Sequence, residues 1–319
     1  MAKKRRKFAD DGWAVWVGGD DVSTVYINDW MNPKGKSYVD IAVRIRGVKI
    51  SKSLNVYVPF TISPDEIEDV SLKFEDTKIP QATFSSACIM DFKKNPHVSE
   101  IAYNAKTVDI VHISTLDYSM EWMADGTLVS VDLVKLQPFL DNDEAYFVWR
   151  MPHKTLDEVF KPRVDMGNAL KRLKDLITTP VVSEKYGYSI RINESRHLPQ
   201  EITRIGAFHR QKLEKAVIDI SISDEYEMND AGCYRIRRLE KNLYNDYLPA
   251  EYLEDDIISY QWNQNRENDY QGQFNFYYSI TRQSISRGSM STYMFILLLV
   301  SVISNFIANV LYNIVSRYF

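Results

Sequence analysis

The chain has 319 residues, of which 45% are hydrophobic and 13% aromatic, and its formal net charge is −4. That is enough apolar residue to bury a large core, which excludes a disordered polymer. Cys88 and Cys233 stand apart and the five histidines (His97, His112, His153, His197 and His209) are scattered, so neither a disulfide framework, a zinc ribbon nor an HExxH site is indicated, and no cofactor is expected.

The first element in chain order is a basic tail over residues 1–8, with Lys3, Lys4, Arg5, Arg6 and Lys7 in succession. No apolar run follows it, so it does not read as a signal peptide. It suits either solvent or an anionic membrane surface. "WAVWV" and "VSTVYI" flank "GGDD", predicting two strands joined by a polar hairpin turn. "YVDIAVRIRGVKI" alternates with period two: Val39, Ile41, Val43 and Ile45 share one face, Asp40, Ala42, Arg44 and Arg46 the other. This predicts a half-buried strand. "SLNVYVPF" follows after a short polar break, predicting a hairpin with it. Ser63, Pro64 and Glu66 have the N-cap, first-position proline and capping-box spacing of a short helix. "KTVDIVHIS", "GTLVSVDLVKL" and "EAYFVWRM" add further strands.

Beyond residue 160 the pattern changes. "DMGNALKRLKDLITTP" places Leu170, Leu173, Leu176 and Ile177 on one helical face and ends at Pro180. "YGYSIRIN" reads as a strand, "LPQEITRIGAFHRQKL" as a helix, and "KAVIDISIS" as a strand with Ala216, Ile218, Ile220 and Ile222 inward. "CYRIRRLEKNLYNDYL" fits either state, and "QGQFNFYYSI" alternates Phe274, Phe276, Tyr278 and Ile280. The fold class is therefore α+β. A β-rich part with sandwich- or barrel-like strands and a few helices is followed by one C-terminal transmembrane helix. The segments read as 9–160 (β-rich), 161–283 (α+β), a linker over 284–292 and the membrane helix over 293–317. The part before the linker is either two domains meeting near residue 160 or one large α+β unit.

No P-loop, GxGxxG or GxSxG motif is present, so no enzyme class is indicated. "GGDD" offers two adjacent carboxylates but no third ligand in register, and a turn explains it better. Arginines are the more informative residues, because their forked, permanent charge suits phosphates. Arg235, Arg237, Arg238 and Lys241 lie within seven residues; Arg44, Arg46 and Arg191 project from other predicted strands. If "YRIRR" is a strand, Tyr234 and Ile236 face the core while Arg235 and Arg237 point outward, with Tyr234 and Tyr244 available to stack on bases. The plainer reading is a solvated face paired with acids such as Glu240 and Asp246.

The C-terminal segment from Tyr293 to Val315 contains no charged residue. As a helix it reaches about 35 Å, enough to cross a hydrocarbon core of about 30 Å. Arg282 and Arg287 precede it and Arg317 follows, a bias that puts the preceding domain in the cytoplasm. At about 100° per residue, Ser301, Asn305, Asn309, Tyr312 and Ser316 fall on one narrow stripe along the helix. Amides facing lipid tails lack partners at a cost of a few kcal/mol each, on the order of the insertion gain itself. The stripe therefore predicts a homo-oligomer, either sealed by inter-helix hydrogen bonds or lining a water path. The alternatives are a single-pass scaffold without a pore, or a tethered enzyme whose site is assembled by the fold.

The order of parts from Trp13 to Phe319, the stripe in "SVISNFIANVLYNIVS" and basic segments such as "YRIRRLEK" resemble bacterial anti-phage membrane effectors, in particular the channel subunits of Hailong-type defence. The resemblance implies an oligomeric ion channel in the inner membrane. A short oligonucleotide made by a nucleotidyltransferase-like partner would hold it closed, and loss of that ligand would open it. It carries no individual site residues onto this sequence.

Overall fold

A computed structural model describes residues 7–19, 22–75, 78–84, 88–91, 95–103, 106–123, 125–160, 182–209, 212–229, 232–252, 256–265, 273–284 and 287–318. The architecture is the expected β-rich α+β one. Its strands are β1 (Lys7–Val17), β2 (Val22–Trp30), β3 (Tyr38–Arg46), β4 (Ser53–Val58), β5 (Cys88–Asp91), β6 (Val98–Tyr103), β7 (Lys106–Val111) and β8 (Tyr118–Met123). They continue as β9 (Gly126–Asp132), β10 (Glu144–Pro152), β11 (Val182–Ile192), β12 (Lys212–Ser223), β13 (Tyr226–Asn229), β14 (Arg235–Arg238), β15 (Ile257–Asn265) and β16 (Phe274–Ser284). They form two sheets, one of seven strands in the order β13-β16-β11-β1-β4-β9-β8 and one of nine in the order β14-β15-β12-β2-β3-β10-β7-β6-β5.

Alternation along β1 explains how the seven-stranded sheet is packed. Trp13 and Val15 are buried on one face, with Trp13 edge-on to Phe60 and His153. Ala14 and Trp16 are buried on the other, in a cluster with Tyr57, Leu128, Ile202 and Phe208. The nine-stranded sheet is likewise covered on both faces. Trp30, Ala42, Tyr146 and Val148 pack against Val70, Phe74 and Ile79 and against Leu239, Tyr244, Tyr247, Leu248 and Tyr252. This cover explains why β3 is buried on both faces through Val43 rather than half-buried as its alternation predicts. The expected inward set of β12, Ala216, Ile218, Ile220 and Ile222, is buried, as are Phe274, Phe276, Tyr278 and Ile280 of β16.

Strand pairing differs from the hairpins expected from sequence. β1 pairs with β4 and, in parallel, with β11, whereas β2 pairs with β3 and, in parallel, with β12. Gly18 and Gly19, at the start of "GGDD", therefore leave one sheet for the other rather than turning a hairpin; Asp20 and Asp21 lie outside the described residues. β3 and β4 also belong to different sheets. At both places strands more distant in the chain outcompete the sequence neighbour, which local alternation does not reveal.

Segments on both sides of residue 160 supply strands to both sheets. Two compact units are distinguished: Met1–Lys161 with Tyr186–Asp224 and Met228–Ser279, and Pro162–Lys185 with Glu225–Glu227 and Ile280–Phe319. The expected single helix after Leu198 is broken into Gln200–Thr203 and Gly206–His209. "CYRIRRLEKNLYNDYL" divides into strand β14 and a short helix, Lys241–Tyr244. At Ser63 the capping box forms: its backbone N–H donates to Glu66 Oε2 at 2.9 Å, starting a 3₁₀ turn at Pro64. The predicted helix within 161–180 and the basic tail before Lys7 lie outside the described residues. The final helix runs from Arg287 to Tyr318, taking in part of the predicted linker. Its Met290–Ser316 stretch is long and apolar enough to cross a membrane.

Candidate functional site

Three of the seven basic residues singled out in the sequence come together. Arg235, Arg237 and Arg238 line a cleft of about 300 Å³ with Lys78, Gln81, Leu239, Glu240, Leu243 and Tyr244. β14 is the last strand of its sheet, and the helix Lys241–Tyr244 begins three residues after it ends, so one short segment supplies both the floor and a wall. Four cations and one carboxylate, Glu240, are among its lining residues. Arg235 lies opposite Gln261, which lies opposite Asp219 on β12, so all three share one face of the sheet. Asp219 accepts hydrogen bonds from Gln261 Nε2 at 3.0 and 3.2 Å. Burial raises its carboxyl above the ordinary range; Gln261, Arg237, Ser259 and Arg235 partly offset this. Burial also raises the Tyr244 hydroxyl, with Arg237 pulling the other way through charge and a hydrogen bond.

The remaining candidates are engaged differently. Arg44 and Arg46 line a second cleft of about 260 Å³ with Lys106 and Lys215. There Arg44 Nε lies 2.6 Å from Glu144 Oε1 and Arg46 pairs with Glu214. Arg191 lines neither cleft and pairs with the buried Glu194 at 3.0 Å. Lys241 turns to Asp256 at 3.3 Å, and Arg238 also pairs with Asp256. Asp256 thus pairs with two cations of this segment, and it was not among the acids expected from sequence, Glu240 and Asp246.

Two expectations about β14 are corrected. Tyr234 and Ile236 are 73% and 62% exposed instead of facing the core, because among the described residues β14 is the edge strand of its sheet. Tyr244 is buried in the hydrophobic cluster, so its ring face is not available for stacking on a base. Lys78 and Gln81, which complete the cleft, carried no motif in the sequence. They reach it because the helix Lys78–Phe84 packs beside Lys241–Tyr244.

Two buried polar centres were not apparent from sequence. Asp40 accepts from Trp30 Nε1 at 2.6 Å, Tyr247 Oη at 2.8 Å, and Arg150 Nε and Nη2 at 2.6 and 2.9 Å. Arg150 also donates to the Tyr247 carbonyl at 2.6 Å and lies 4.6 Å from the Tyr247 ring centroid. Between the sheets, His153 Nδ1 is 2.8 Å from Asp29 Oδ1 and its Nε2 is 2.8 Å from Tyr188 Oη, which donates to Asp11 Oδ2 at 2.7 Å. Burial pulls the His153 pKa down, but Asp29 and Asp11 outweigh it and hold the ring up at about 9. None of these residues lines either cleft. Among the described residues no group of three or more His, Cys, Asp or Glu is placed to hold a metal ion.

On the C-terminal helix the side chains of Ser301, Asn305, Asn309, Tyr312 and Ser316 are all exposed. No part of the membrane-length stretch is buried. Ser316 Oγ donates to the Asn313 carbonyl within the helix at 3.2 Å.

No protein-family model and no curated protein matches this chain. Among solved structures, the Fcho1 Mu homology domain of Danio rerio with bound Eps15 peptide aligns at 10% identity. The alignment covers 85% of this chain and 80% of that one, with a TM-score of 0.12, a likeness too low to carry an argument about fold or function.

Proposed function

We propose that this protein is an oligomeric membrane channel of bacterial antiviral defence. Its β-rich domain lies on the cytoplasmic side of the inner membrane, and its C-terminal helices associate around the stripe formed by Ser301, Asn305, Asn309, Tyr312 and Ser316. The observation that carries this reading is the stripe: five polar side chains along a helix with no buried face. In lipid each amide is costly unless it meets water or another helix. The length of the stripe favours a water path, since a single pairing contact needs only one or two polar groups.

Gating is assigned to a nucleotide or short oligonucleotide in the arginine-lined cleft, whose volume is at the low end of the range for small-ligand sites. A nucleotidyltransferase-like partner would make that ligand. The cleft of Arg235 and Arg237 is preferred because one carboxylate, Glu240, lines it among four cations, whereas two, Glu144 and Glu214, line the other. Opening would depolarise the membrane and stop the infected cell.

The test is membrane potential and dye leakage in cells expressing the protein, with and without infection. Asn305→Leu with Asn309→Leu is expected to abolish leakage while leaving membrane insertion intact. Wild-type protein that never leaks, including under ligand depletion, overturns the channel and leaves a membrane-anchored scaffold.

A further inference from the structure

β14 divides its character between its two faces. Arg235 and Arg237 share the face of Gln261 and Asp219 and look into the cationic cleft. Ile236 shares the opposite face with Tyr260 and, one strand further in, the buried Ile220. On that face Tyr278, Trp262 and Tyr260 stack in succession, with ring centroids 6.1 and 6.5 Å apart. The apolar row continues outward to Ile236 and then stops, leaving Ile236 and the preceding Tyr234 largely in solvent. Sheet edges are normally blunted by charge, proline or a covering segment, because their unpaired backbone groups template another strand. Here the sheet ends on two large exposed apolar side chains, alternating with arginines.

We infer that this edge is a docking site for an extended acidic peptide, which adds as a further strand beside β14. Main-chain hydrogen bonds supply affinity in such an addition, and the side chains that alternate above and below the sheet supply specificity. A segment alternating carboxylate and aliphatic residues fits both faces at once. Its carboxylates meet Arg235 and Arg237 from the cleft side, and its aliphatic residues extend the row of Ile220, Tyr260 and Ile236. Charge selects this occupant over a second copy of the chain. Two β14 edges paired together would bring like-charged arginine rows close to one another. The inference concerns a protein partner and does not depend on channel gating.

The experiment is fluorescence polarisation with the full-length chain in neutral detergent and a labelled Asp-Val-Glu-Val-Asp-Val-Glu peptide at low salt. Two controls accompany it: a peptide of the same composition with its carboxylates and valines in separate blocks, and the alternating peptide with alternate backbone nitrogens methylated. The alternating peptide is expected to bind about tenfold tighter than either control. Arg235→Glu with Arg237→Glu is expected to abolish its binding. Ile236→Ser, an exposed position whose change leaves the melting transition in place, is expected to weaken it about threefold. Absence of binding overturns the inference. So does equal binding of all three peptides, which would mean a cleft that attracts anions without pairing a strand. Displacement by a short oligothymidylate with no effect of Ile236→Ser also overturns it, in favour of nucleic acid.

Discussion

At the residue scale, the sheets are fixed by charge as well as by apolar packing. Asp40 looked like the polar side of a half-buried strand, yet it is 3% exposed and takes four hydrogen bonds. Its partner Arg150 is still more buried, and removing one member of such a pair leaves the other charge stranded. His153 sets a pH dependence whose sign follows from its surroundings. Asp29 on β2, Asp11 on β1, Tyr188 on β11 and Tyr278 on β16 are its ionisable neighbours in the cluster. Its folded pKa of about 9 exceeds the ordinary 6.5, so the stabilisation is complete below about pH 6.5 and is lost as pH rises through about 9. Its size is on the order of 3 kcal/mol. Denaturation midpoints between about pH 6 and 9.5 are expected to fall for the wild type, and the slope to be markedly shallower for His153→Gln. Parallel slopes would show that His153 does not carry the effect.

At the element scale, much was legible because alternation is a local property. The inward faces of β12 and β16 and the capping box at Ser63 follow from spacing alone. Which strands pair does not. β1 and β2 are sequence neighbours yet join different sheets, because β1 pairs with β4 and β11 while β2 pairs with β3 and β12. The orientation of β14 was misread for a related reason. "YRIRR" alternates as a buried strand does, but its place at a sheet edge leaves Tyr234 and Ile236 uncovered. The cleft was half-legible: the arginines were visible as a cluster, while Lys78 and Gln81 arrive only through packing. Gly12 shows how closely β1 is overlaid. A Cβ at this position would sit 1.9 Å from the His197 carbonyl oxygen, a backbone atom unable to step aside as a side-chain end would. Gly12→Ala is expected to destabilise the protein by about 1–3 kcal/mol, read from chemical denaturation in detergent. An unchanged midpoint would mean that the segment around His197 moves freely.

At the scale of the whole molecule, the C-terminal helix is the element whose surroundings lie outside the single chain. On the proposed reading its stripe of amides and hydroxyls is satisfied by association, so oligomeric state is the direct measurement. The wild-type protein is expected to be multimeric by light scattering in mild detergent. A chain with residues 290–316 replaced by leucine is expected to lose that defined stoichiometry; if both give the same oligomer, the β-rich domain and not the stripe drives assembly.

The nine-stranded sheet also carries a consequence for biosynthesis. One of its interior pairings joins β2, which starts at residue 22, to β12, which starts at residue 212, and its far edge is finished only by residues up to 265. Contacts so distant in sequence form slowly, and until they form β2 keeps one side unpaired. On the ribosome the early strands must wait for most of the chain, and the apolar C-terminal helix is the next element made after the sheets can close. A nascent chain that stalls before residue 212 is therefore the species most exposed to aggregation, and the one for which chaperone protection matters most.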